Sequence, residues 1–191
     1  MREIQGHGVA MITPFKADGS IDFDAIPIII NHLINGGIDF LVVLGTTAET
    51  ATLTKSEKIA LVDKIIEVNS DRLPLVLGLG GNNTQELLGM FDWFNLSSFT
   101  AILSVSPYYN KPNQEGLYQH FKTIANKSSL PVILYNVPSR TGVNIAPETV
   151  LHLAEDFDNI VGLKEASGDF QQAQTLMKLC PPNFSILSGD D

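Results

Sequence analysis

The sequence is poor in cysteine, in positive charge and in long hydrophobic runs. Its single cysteine, Cys180, cannot form an intramolecular disulfide or build a thiolate metal cluster, so we expect a buried, unreactive thiol. Lysine and arginine total 12 against 21 acidic residues, which gives a net charge of −9, and no basic run is present. Nucleic acids and anionic membranes bind clustered positive charge, so we expect neither as a partner.

Segments that direct a chain into a membrane are also missing from the sequence. The longest apolar stretches, such as residues 40–44, are far shorter than the roughly 20 residues that a membrane helix needs. The N-terminus lacks a charged region followed by an apolar one, the pattern of a secretory signal, so we expect a cytoplasmic protein. With 44% apolar and only 17% charged residues, the chain has enough apolar material to bury a core.

Short apolar runs recur along the chain and indicate buried strands. The seven runs are Gly8–Thr13, Asp39–Leu44, Pro74–Leu79, Thr100–Val105, Pro131–Leu134, Ile160–Leu163 and Phe184–Leu187. Apolar residues follow one another in these runs without polar alternation, which is typical of parallel strands buried on both faces. The segments between them carry helix signals, including a capping box at Thr54–Glu57, Asn113 before a periodic apolar pattern, and Pro147 at a helix start.

Alternating strands and helices leave two architectures, a doubly wound open sheet and a (β/α)8 barrel. Polar side chains follow many of the strands, namely Thr46, Thr47, Tyr108, Tyr109, Tyr135, Lys164 and the Ser188–Asp191 segment. A barrel collects such residues on one rim, whereas an open sheet concentrates its site at one switch point, so we favour the barrel. A complete barrel takes around 250 residues. We therefore expect residues 1–191 to form a single, partial barrel domain of seven strand–helix units, with strand 8 and a C-terminal helical region missing.

Lys164 directly follows apolar strand residues in Val161–Glu165. Burial of an unpaired ammonium is costly, so this lysine either reaches solvent or loses its proton easily. A neutral amine attacks carbonyl carbon, the first step of Schiff-base catalysis. Tyr135, at the end of the fifth run, could pass protons, and Arg140 in the next loop could bind a carboxylate in bidentate fashion. The alternatives are a lysine that reaches water, a rim-packing tyrosine and a solvated arginine.

Thr46 and Thr47 offer hydroxyl and backbone N–H groups where the chain leaves the second run, an arrangement able to cradle a carboxylate. A plain polar loop is the alternative. The four histidines, His7, His32, His120 and His152, have no metal-ligand spacing, so we predict no metal site. The residues 78–83 lack the spacing and ending of a nucleotide-binding loop.

Four ordered motifs together resemble one family. They are Gly45–Glu49, Pro107–Pro112, Tyr135–Gly142 and Gly162–Glu165, and the match spans the chain from Gly8–Phe15 to Ser188–Asp191. The combination closely resembles the dihydrodipicolinate synthase / N-acetylneuraminate lyase family. Thr46-Thr47, where the sialic acid lyases carry Ser-Thr, and Arg140 favour the branch that condenses pyruvate with aspartate 4-semialdehyde to 4-hydroxy-tetrahydrodipicolinate, in lysine and diaminopimelate biosynthesis.

The resemblance implies a class I, Schiff-base mechanism without a cofactor. Lys164 would attack the carbonyl of pyruvate, and Tyr135, Thr46 and Tyr109 would relay protons, with Tyr109 entering the site of a neighbouring subunit. A homotetramer built from two tight dimers is the assembly that the family implies.

The remaining site residues follow from the same resemblance. Thr47 would hold the pyruvate carboxylate, and Arg140 would hold the carboxylate of the semialdehyde. The family's usual glycine is replaced by Ala48, so we expect a backbone there that is not left-handed.

The resemblance also implies an allosteric lysine pocket lined by Asn82, Glu86 and Tyr108. Lys55 and Lys58 stand where sensitive members often carry histidines. Cations near a bound lysine's ammonium would weaken binding, so we predict weak or absent inhibition by lysine.

Two other hypotheses stay open on the sequence alone. One is a pyruvate-dependent sugar-acid aldolase, such as an N-acetylneuraminate lyase, which differs in the aldehyde that captures the enamine. The other is a catalytically incomplete barrel fragment that serves only in binding or assembly.

Overall fold

The computed structural model describes residues 4–189, and within that range strands alternate with helices along the whole chain. The strands are β1 (Gly8–Ala10), β2 (Phe40–Val43), β3 (Leu75–Gly78), β4 (Ala101–Val105), β5 (Val132–Asn136), β6 (Ile160–Glu165) and β7 (Ser185–Ser188). The helices are α1 (Ala25–Asn35), α2 (Lys55–Asn69), α3 (Thr84–Met90), α4 (Gln114–Lys127), α5 (Pro138–Thr141), α6 (Pro147–Asp156) and α7 (Phe170–Leu179). Every predicted strand is confirmed, and each pairing within the two units described below is parallel.

Two strands are longer than predicted. The ladder between β5 and β6 continues to the pair Asn136↔Glu165, so Tyr135 and Lys164 lie inside their strands and not after them. The apolar pattern did not reveal this extension, because the added residues Asn136, Lys164 and Glu165 are polar. At β7, Ser188 is the last strand residue and Gly189 follows it, while Asp190 and Asp191 lie outside the described residues.

The chain divides into two compact units. The first comprises the described residues up to 78 together with 93–101. In it β2 pairs with β1 and with β3, and α1 packs against α2. The core of this unit is aliphatic and fully buried, with Ile26 and Ile30 from α1, Leu61 and Ile65 from α2, and Leu41, Val43 and Leu77 from the strands.

The second unit comprises residues 79–92 and the described residues from 102 onward. In it β5 pairs with β4 and β6, and β6 pairs with β7. The buried face of α4 carries Leu117, Phe121 and Ile124, and α4 packs against α3 and α6. Helix α6 also packs against α7. This unit holds β5 and β6, on which Tyr135 and Lys164 lie.

The predicted helix starts are confirmed by their caps. Thr54 Oγ1 accepts the N–H of Glu57, while the Glu57 carboxylate accepts the N–H of Thr54, which completes the capping box of α2. Asn113 caps α4 through the N–H of Gly116, and Pro147 is the first residue of α6.

Cys180 is half-buried, and the prediction of a buried thiol was wrong in degree. Cys180 directly follows α7 as its C-cap. Its backbone is extended, and its N–H bonds to Leu176 O. Burial raises the pKa of the thiol above its ordinary value, which keeps the reactive thiolate scarce.

Among the described residues, none of the helices is both long and apolar enough to cross a bilayer. No cluster of three or more histidine, cysteine and acidic side chains lies close enough to hold a metal ion within residues 4–189.

Candidate active site

Lys164 and Tyr135 lie directly opposite each other on neighbouring strands. They are register partners in the parallel pair of β5 and β6, so their side chains leave the same face of the sheet. The Lys164 Nζ atom lies 4.7 Å from the centroid of the Tyr135 ring. Tyr135 is buried and Lys164 half-buried, which places an amine and a phenol together in a partly dry setting.

A one-residue register shift creates this pairing. Val132 pairs with Ile160, but the next residue, Ile133, pairs with Gly162, so Val161 is an extra residue in β6. Such bulges redirect the side chains that follow them. With regular pairing from Ile160 onward, Tyr135 would face Leu163 instead of Lys164.

Glycines pack closely against this part of the site. A Cβ atom on Gly162 would lie 2.6 Å from the carbonyl oxygen of Ser185, so β7 approaches β6 at a distance that only glycine permits. A Cβ atom on Gly189 would lie 2.9 Å from Cε of Lys164 and 2.6 Å from Cβ of Ala166. The Gly189 N–H donates to the carbonyl of Glu165, which ties the chain after β7 to the end of β6.

On the opposite face of the same strands, Asn136 and Glu165 form the next register pair. Both side chains are buried. Nδ2 of Asn136 lies 3.1 Å from each carboxylate oxygen of Glu165, and Gln172 Nε2 donates to Oε2 at 2.9 Å. The Ser167 N–H donates to Oε1 at 2.7 Å. Every one of these donors is neutral, so this carboxylate is satisfied by amides.

Arg140 lies in the short helix α5, directly after β5. Pro138 opens the helix, and Gly142, at a φ of 73°, ends it with its N–H bonded to Pro138 O. Thr141 is buried and its hydroxyl donates to the carbonyls of Val137 and Val143. Arg140 is exposed on this short turn.

Tyr109 lies in the loop after β4, in a strained backbone. Its φ is 69° and that of Lys111 is 50°, values that non-glycine residues adopt at a cost. The Asn110 N–H bonds to the carbonyl of Tyr108 across this bend. The Tyr109 side chain is 87% exposed, so the loop holds an aromatic ring out in solvent.

Thr46 and Thr47, in the first unit, form a single 3₁₀ turn after β2 that ends at Ala48. Leu44 enters the turn at a φ of 56°, and Glu49 leaves it in the left-handed region at 55°. Both threonines are exposed. Ala48 has no left-handed backbone, as expected, because the left-handed position falls on Glu49.

Thr13 anchors this turn and was missed from sequence. Its buried hydroxyl donates to the carbonyl of Ala48 at 2.7 Å. A second constraint is Gly78, where a Cβ atom would lie 2.3 Å from the carbonyl oxygen of Leu44. The sequence signal for this role was the polar residue Thr13 at the end of the first apolar run.

The three residues assigned to the lysine pocket lie in the second unit. In the second unit, Asn82 is half-buried, Glu86 is exposed in the first turn of α3, and Tyr108 is 39% exposed. In the first unit, Nζ of Lys55 lies 4.7 Å from the centroid of the Trp93 ring, a cation–π contact.

His120 is packed in the core of the second unit. Its Nδ1 atom lies 2.8 Å from the Thr84 hydroxyl, and its ring meets the Phe121 ring edge to face. Burial lowers the pKa of His120 to about 4, so the imidazole is neutral at pH 7.

Sequence comparison identifies a family for most of the chain. Residues 3–191 match the model of the dihydrodipicolinate synthetase family. The 4-hydroxy-tetrahydrodipicolinate synthase of Flavobacterium psychrophilum is 55% identical over 191 residues, which cover all of this chain and 65% of the relative.

Solved structures give the same relationship. The dihydrodipicolinate synthase of Bacillus anthracis aligns with a TM-score of 0.95 at 42% identity, covering all of this chain and 65% of the other. The chloride-inhibited synthase of Acinetobacter baumannii, complexed with pyruvate, aligns with a TM-score of 0.94 at 41% identity, covering 98% and 64%. The matches confirm the expected (β/α)8-barrel fold class. The chain spans a little under two thirds of the length of these relatives.

Proposed function

Because this chain belongs to the dihydrodipicolinate synthetase family, we propose that it carries the Schiff-base chemistry of a 4-hydroxy-tetrahydrodipicolinate synthase. The reaction condenses pyruvate with aspartate 4-semialdehyde, a step of lysine and diaminopimelate biosynthesis. The relatives' names give the product and, for one structure, bound pyruvate, while the aldehyde follows from the family resemblance.

The observation that carries the proposal is the contact between Lys164 and Tyr135. An amine that attacks a ketone needs a proton donor and acceptor beside it, because water must leave before the imine forms. The Tyr135 ring, 4.7 Å from Nζ, supplies a phenol at the adjacent strand position. The face of the same ring also attracts a cation, either the protonated amine of Lys164 or the protonated imine formed on it.

The steps follow from the chemistry of an amine and a ketone. Nζ of Lys164 adds to the carbonyl carbon of pyruvate, and the carbinolamine loses water to give an imine. Loss of a proton from the methyl group gives an enamine, whose carbon attacks the aldehyde. The amine of the semialdehyde then attacks the imine carbon, closes the ring and releases Lys164.

The other roles are carried over from the family resemblance, residue by residue. Thr46 and Tyr109 take part in the proton relay with Tyr135, and Thr47 holds the pyruvate carboxylate. Arg140 binds the second carboxylate as a fork of N–H donors, a role that suits its exposed place on the fixed α5 turn.

Trapping of the imine tests the proposal. The protein is incubated with pyruvate, reduced with borohydride and digested, and mass spectrometry locates the adduct. We expect the adduct on Lys164 and none in Lys164→Arg, whose guanidinium stays protonated. Lys178→Arg, at an exposed site on α7, is the matched control and should trap like the wild type. An unmodified Lys164 in the wild-type protein contradicts the proposal.

The aldehyde partner is tested in the same assay. Aspartate 4-semialdehyde should consume the enamine before borohydride is added and reduce the yield of adduct, whereas N-acetylmannosamine should not. The reverse result would assign a sugar-acid aldolase, and trapping unaffected by either aldehyde would assign an incomplete enzyme.

Weak or absent feedback inhibition belongs to the same proposal. Lys55 is engaged with the Trp93 ring in the first unit, and a cation at that position disfavours a second ammonium nearby. Activity should persist in sub-millimolar lysine. A substantial loss there, removed by Glu86→Gln, would contradict the expectation.

The proposed assembly is a homotetramer in the cytoplasm. The strained loop that holds Tyr109 87% exposed gives a chemical reason for a partner, because a ring on such a loop gains a dry environment only at an interface. Sedimentation of the wild type beside Tyr109→Ala tests this assembly, and a monomeric wild type contradicts it.

A further inference from the structure

Glu165, adjacent to Lys164 in β6, belongs to a closed ring of hydrogen bonds that runs from the buried strand pair to the surface. We call Glu165, Asn136, Asn144 and Gln172 the Glu165 network. Asn136 and Gln172 donate to the carboxylate. Asn136 also donates to Oδ1 of Asn144 at 2.7 Å, and Asn144 donates to Oε1 of Gln172 at 2.7 Å, which closes the ring.

The network connects the segments that carry the proposed site residues in the second unit. Asn136 follows Tyr135 on β5, Glu165 follows Lys164 on β6, and Asn144 lies in the segment after Arg140. Oδ1 of Asn136 accepts the N–H of Ile145 at 3.0 Å, which holds that segment against β5. Gln172 adds the first turn of α7 to the ring.

The segment after Arg140 is held from a second side as well. Gln114, the first residue of α4, donates to the carbonyl of Asn144 and accepts from the N–H of Ala146. It also accepts from the hydroxyl of Thr149. The start of α4, which follows the Tyr109 loop, is thereby joined to the same segment.

The charge of Glu165 has no place in the chemical steps proposed above. Its side chain leaves the strand on the face opposite to that of Lys164, since neighbouring residues alternate. It is 8% exposed, and a buried carboxylate is costly unless its oxygens are fully hydrogen-bonded. The two carboxylate oxygens accept hydrogen bonds from Asn136 on β5, from Gln172 on α7 and from the Ser167 N–H. The end of β6 is therefore tied to three parts of the chain.

We propose that Glu165 is a positioning residue whose carboxylate, held by Asn136, Gln172 and the Ser167 N–H, fixes the end of β6 so that Lys164 faces Tyr135. The inference rests on the proposed function, because Lys164 is taken as the reacting amine. It goes beyond that function by assigning a role to the face of the strand pair opposite to Lys164.

Glu165→Gln is the appropriate substitution because it preserves size and changes one acceptor to a donor. The new NH2 group must face either Nε2 of Gln172 or the Ser167 N–H, and both of these groups are donors. The end of β6 then has to move to relieve the conflict. Glu165→Gln combined with Gln172→Glu restores a donor and an acceptor at that contact.

The experiment compares borohydride trapping of pyruvate on Lys164 in four proteins at a temperature where circular dichroism shows each to be folded. They are the wild type, Glu165→Gln, the double variant, and Glu155→Gln, a control at an exposed carboxylate on α6. Glu165→Gln should slow trapping at saturating pyruvate about tenfold or more, since small displacements of a reacting group are costly. The half-saturating pyruvate concentration should stay within about twofold of the wild type.

The double variant should recover most of the lost rate, and Glu155→Gln should match the wild type. A wild-type rate in Glu165→Gln, a half-saturating concentration that rises in proportion to the loss, or a double variant no faster than the single one would each overturn the proposal.

A second measurement separates this proposal from the proposed function. The ¹³C signal of reductively methylated Lys164 reports the surroundings of its amine in the absence of pyruvate. It should differ between the wild type and Glu165→Gln, and an unchanged signal overturns the positioning role. A wild-type protein that fails to trap pyruvate contradicts the proposed function alone, and the ¹³C signal still decides the role of Glu165.

Discussion

The phenol of Tyr135 and its ring make separable contributions to the chemistry of Lys164. The ring face lies 4.7 Å from Nζ and favours a cation there, while the hydroxyl group is the part able to move a proton. The two contributions can be measured one at a time, because phenylalanine retains the ring.

Tyr135→Phe should therefore lower the rate of imine formation by about 10²- to 10³-fold, the usual contribution of a proton-transfer group, with pyruvate binding little changed. Single-turnover trapping with borohydride gives the rate, and its dependence on pyruvate concentration gives the binding. Tyr118→Phe, at a phenol on α4 that bonds to Asp156, is the matched control. Equal rates in Tyr135→Phe and the wild type would remove the phenol from the mechanism.

His120 links stability to pH. The folded chain binds a proton at this site only below about pH 4, whereas the unfolded chain binds one below pH 6.5. Unfolding in that window therefore takes up a proton, so the stabilisation is complete above pH 6.5 and is lost as the pH falls towards 4.

His120→Asn should flatten this dependence. The difference between the pH 7 and pH 4 free energies of unfolding should shrink by an amount of the order of 3 kcal/mol, the value of the full pKa shift. Urea unfolding at both pH values measures it. His152→Asn, at an exposed site on α6, should leave the difference as in the wild type, and an equally steep loss in His120→Asn would show that other groups carry it.

At the scale of the elements, β6 depends on a close backbone approach. Gly162 has no space for a side chain, because its Cβ atom would lie 2.6 Å from the Ser185 carbonyl oxygen on β7. Gly89, in α3, has open space around the same position. The two glycines form a natural pair for comparison.

Gly162→Ala should lower the free energy of unfolding by about 1–3 kcal/mol, the usual cost of overpacking. Gly89→Ala should raise it by up to about 1 kcal/mol, since alanine is the better helix former. Chemical denaturation of both variants measures the two changes. A Gly162→Ala protein as stable as the wild type would mean that β7 moves away from β6 at little cost.

The elements that the sequence predicts well are those with a local cause. The start of α2 follows from the capping box at Thr54, and β2 follows from an uninterrupted apolar run. The ends of β5 and β6 were missed because their last residues are polar and are paired by a ladder rather than by burial of apolar surface. Asn136 and Glu165 stood in the quoted motifs, but only the register shows that they are partners.

At the scale of the whole molecule, burial of apolar surface outweighs ion pairing. The described residues contain two salt bridges, Lys64–Glu67 and Lys127–Asp92, and both are exposed. Exposed pairs contribute little, and the net charge of −9 makes repulsion between acidic groups the larger long-range effect.

Salt should therefore stabilise the protein slightly or leave its stability unchanged. Raising sodium chloride from about 50 to about 500 mM should hold or increase Tm, because screening weakens repulsion more than it weakens the two pairs. Thermal unfolding followed by circular dichroism measures the change. A fall of Tm with salt would mean that favourable charge interactions dominate.

The fold class was accessible from sequence because all seven apolar runs carry the parallel-strand pattern at the spacing of strand–helix units. The arrangement of the site was accessible only in part. Lys164, Tyr135 and Arg140 could be chosen by residue type and motif, but the contact at 4.7 Å depends on a register shift that no composition reveals. Thr13 acts across 35 residues of chain, a distance over which sequence periodicity carries no information.

The extra residue Val161 changes the shape of β6, and its loss would leave the facing pair in place. Deletion of that single residue would put Gly162 directly after Ile160 and make the ladder regular, with Lys164 still opposite Tyr135. The strand would lose the bend and the added twist that a bulge gives. In an alignment, a one-residue gap at Val161 would therefore mark a straighter strand that keeps the amine beside the phenol.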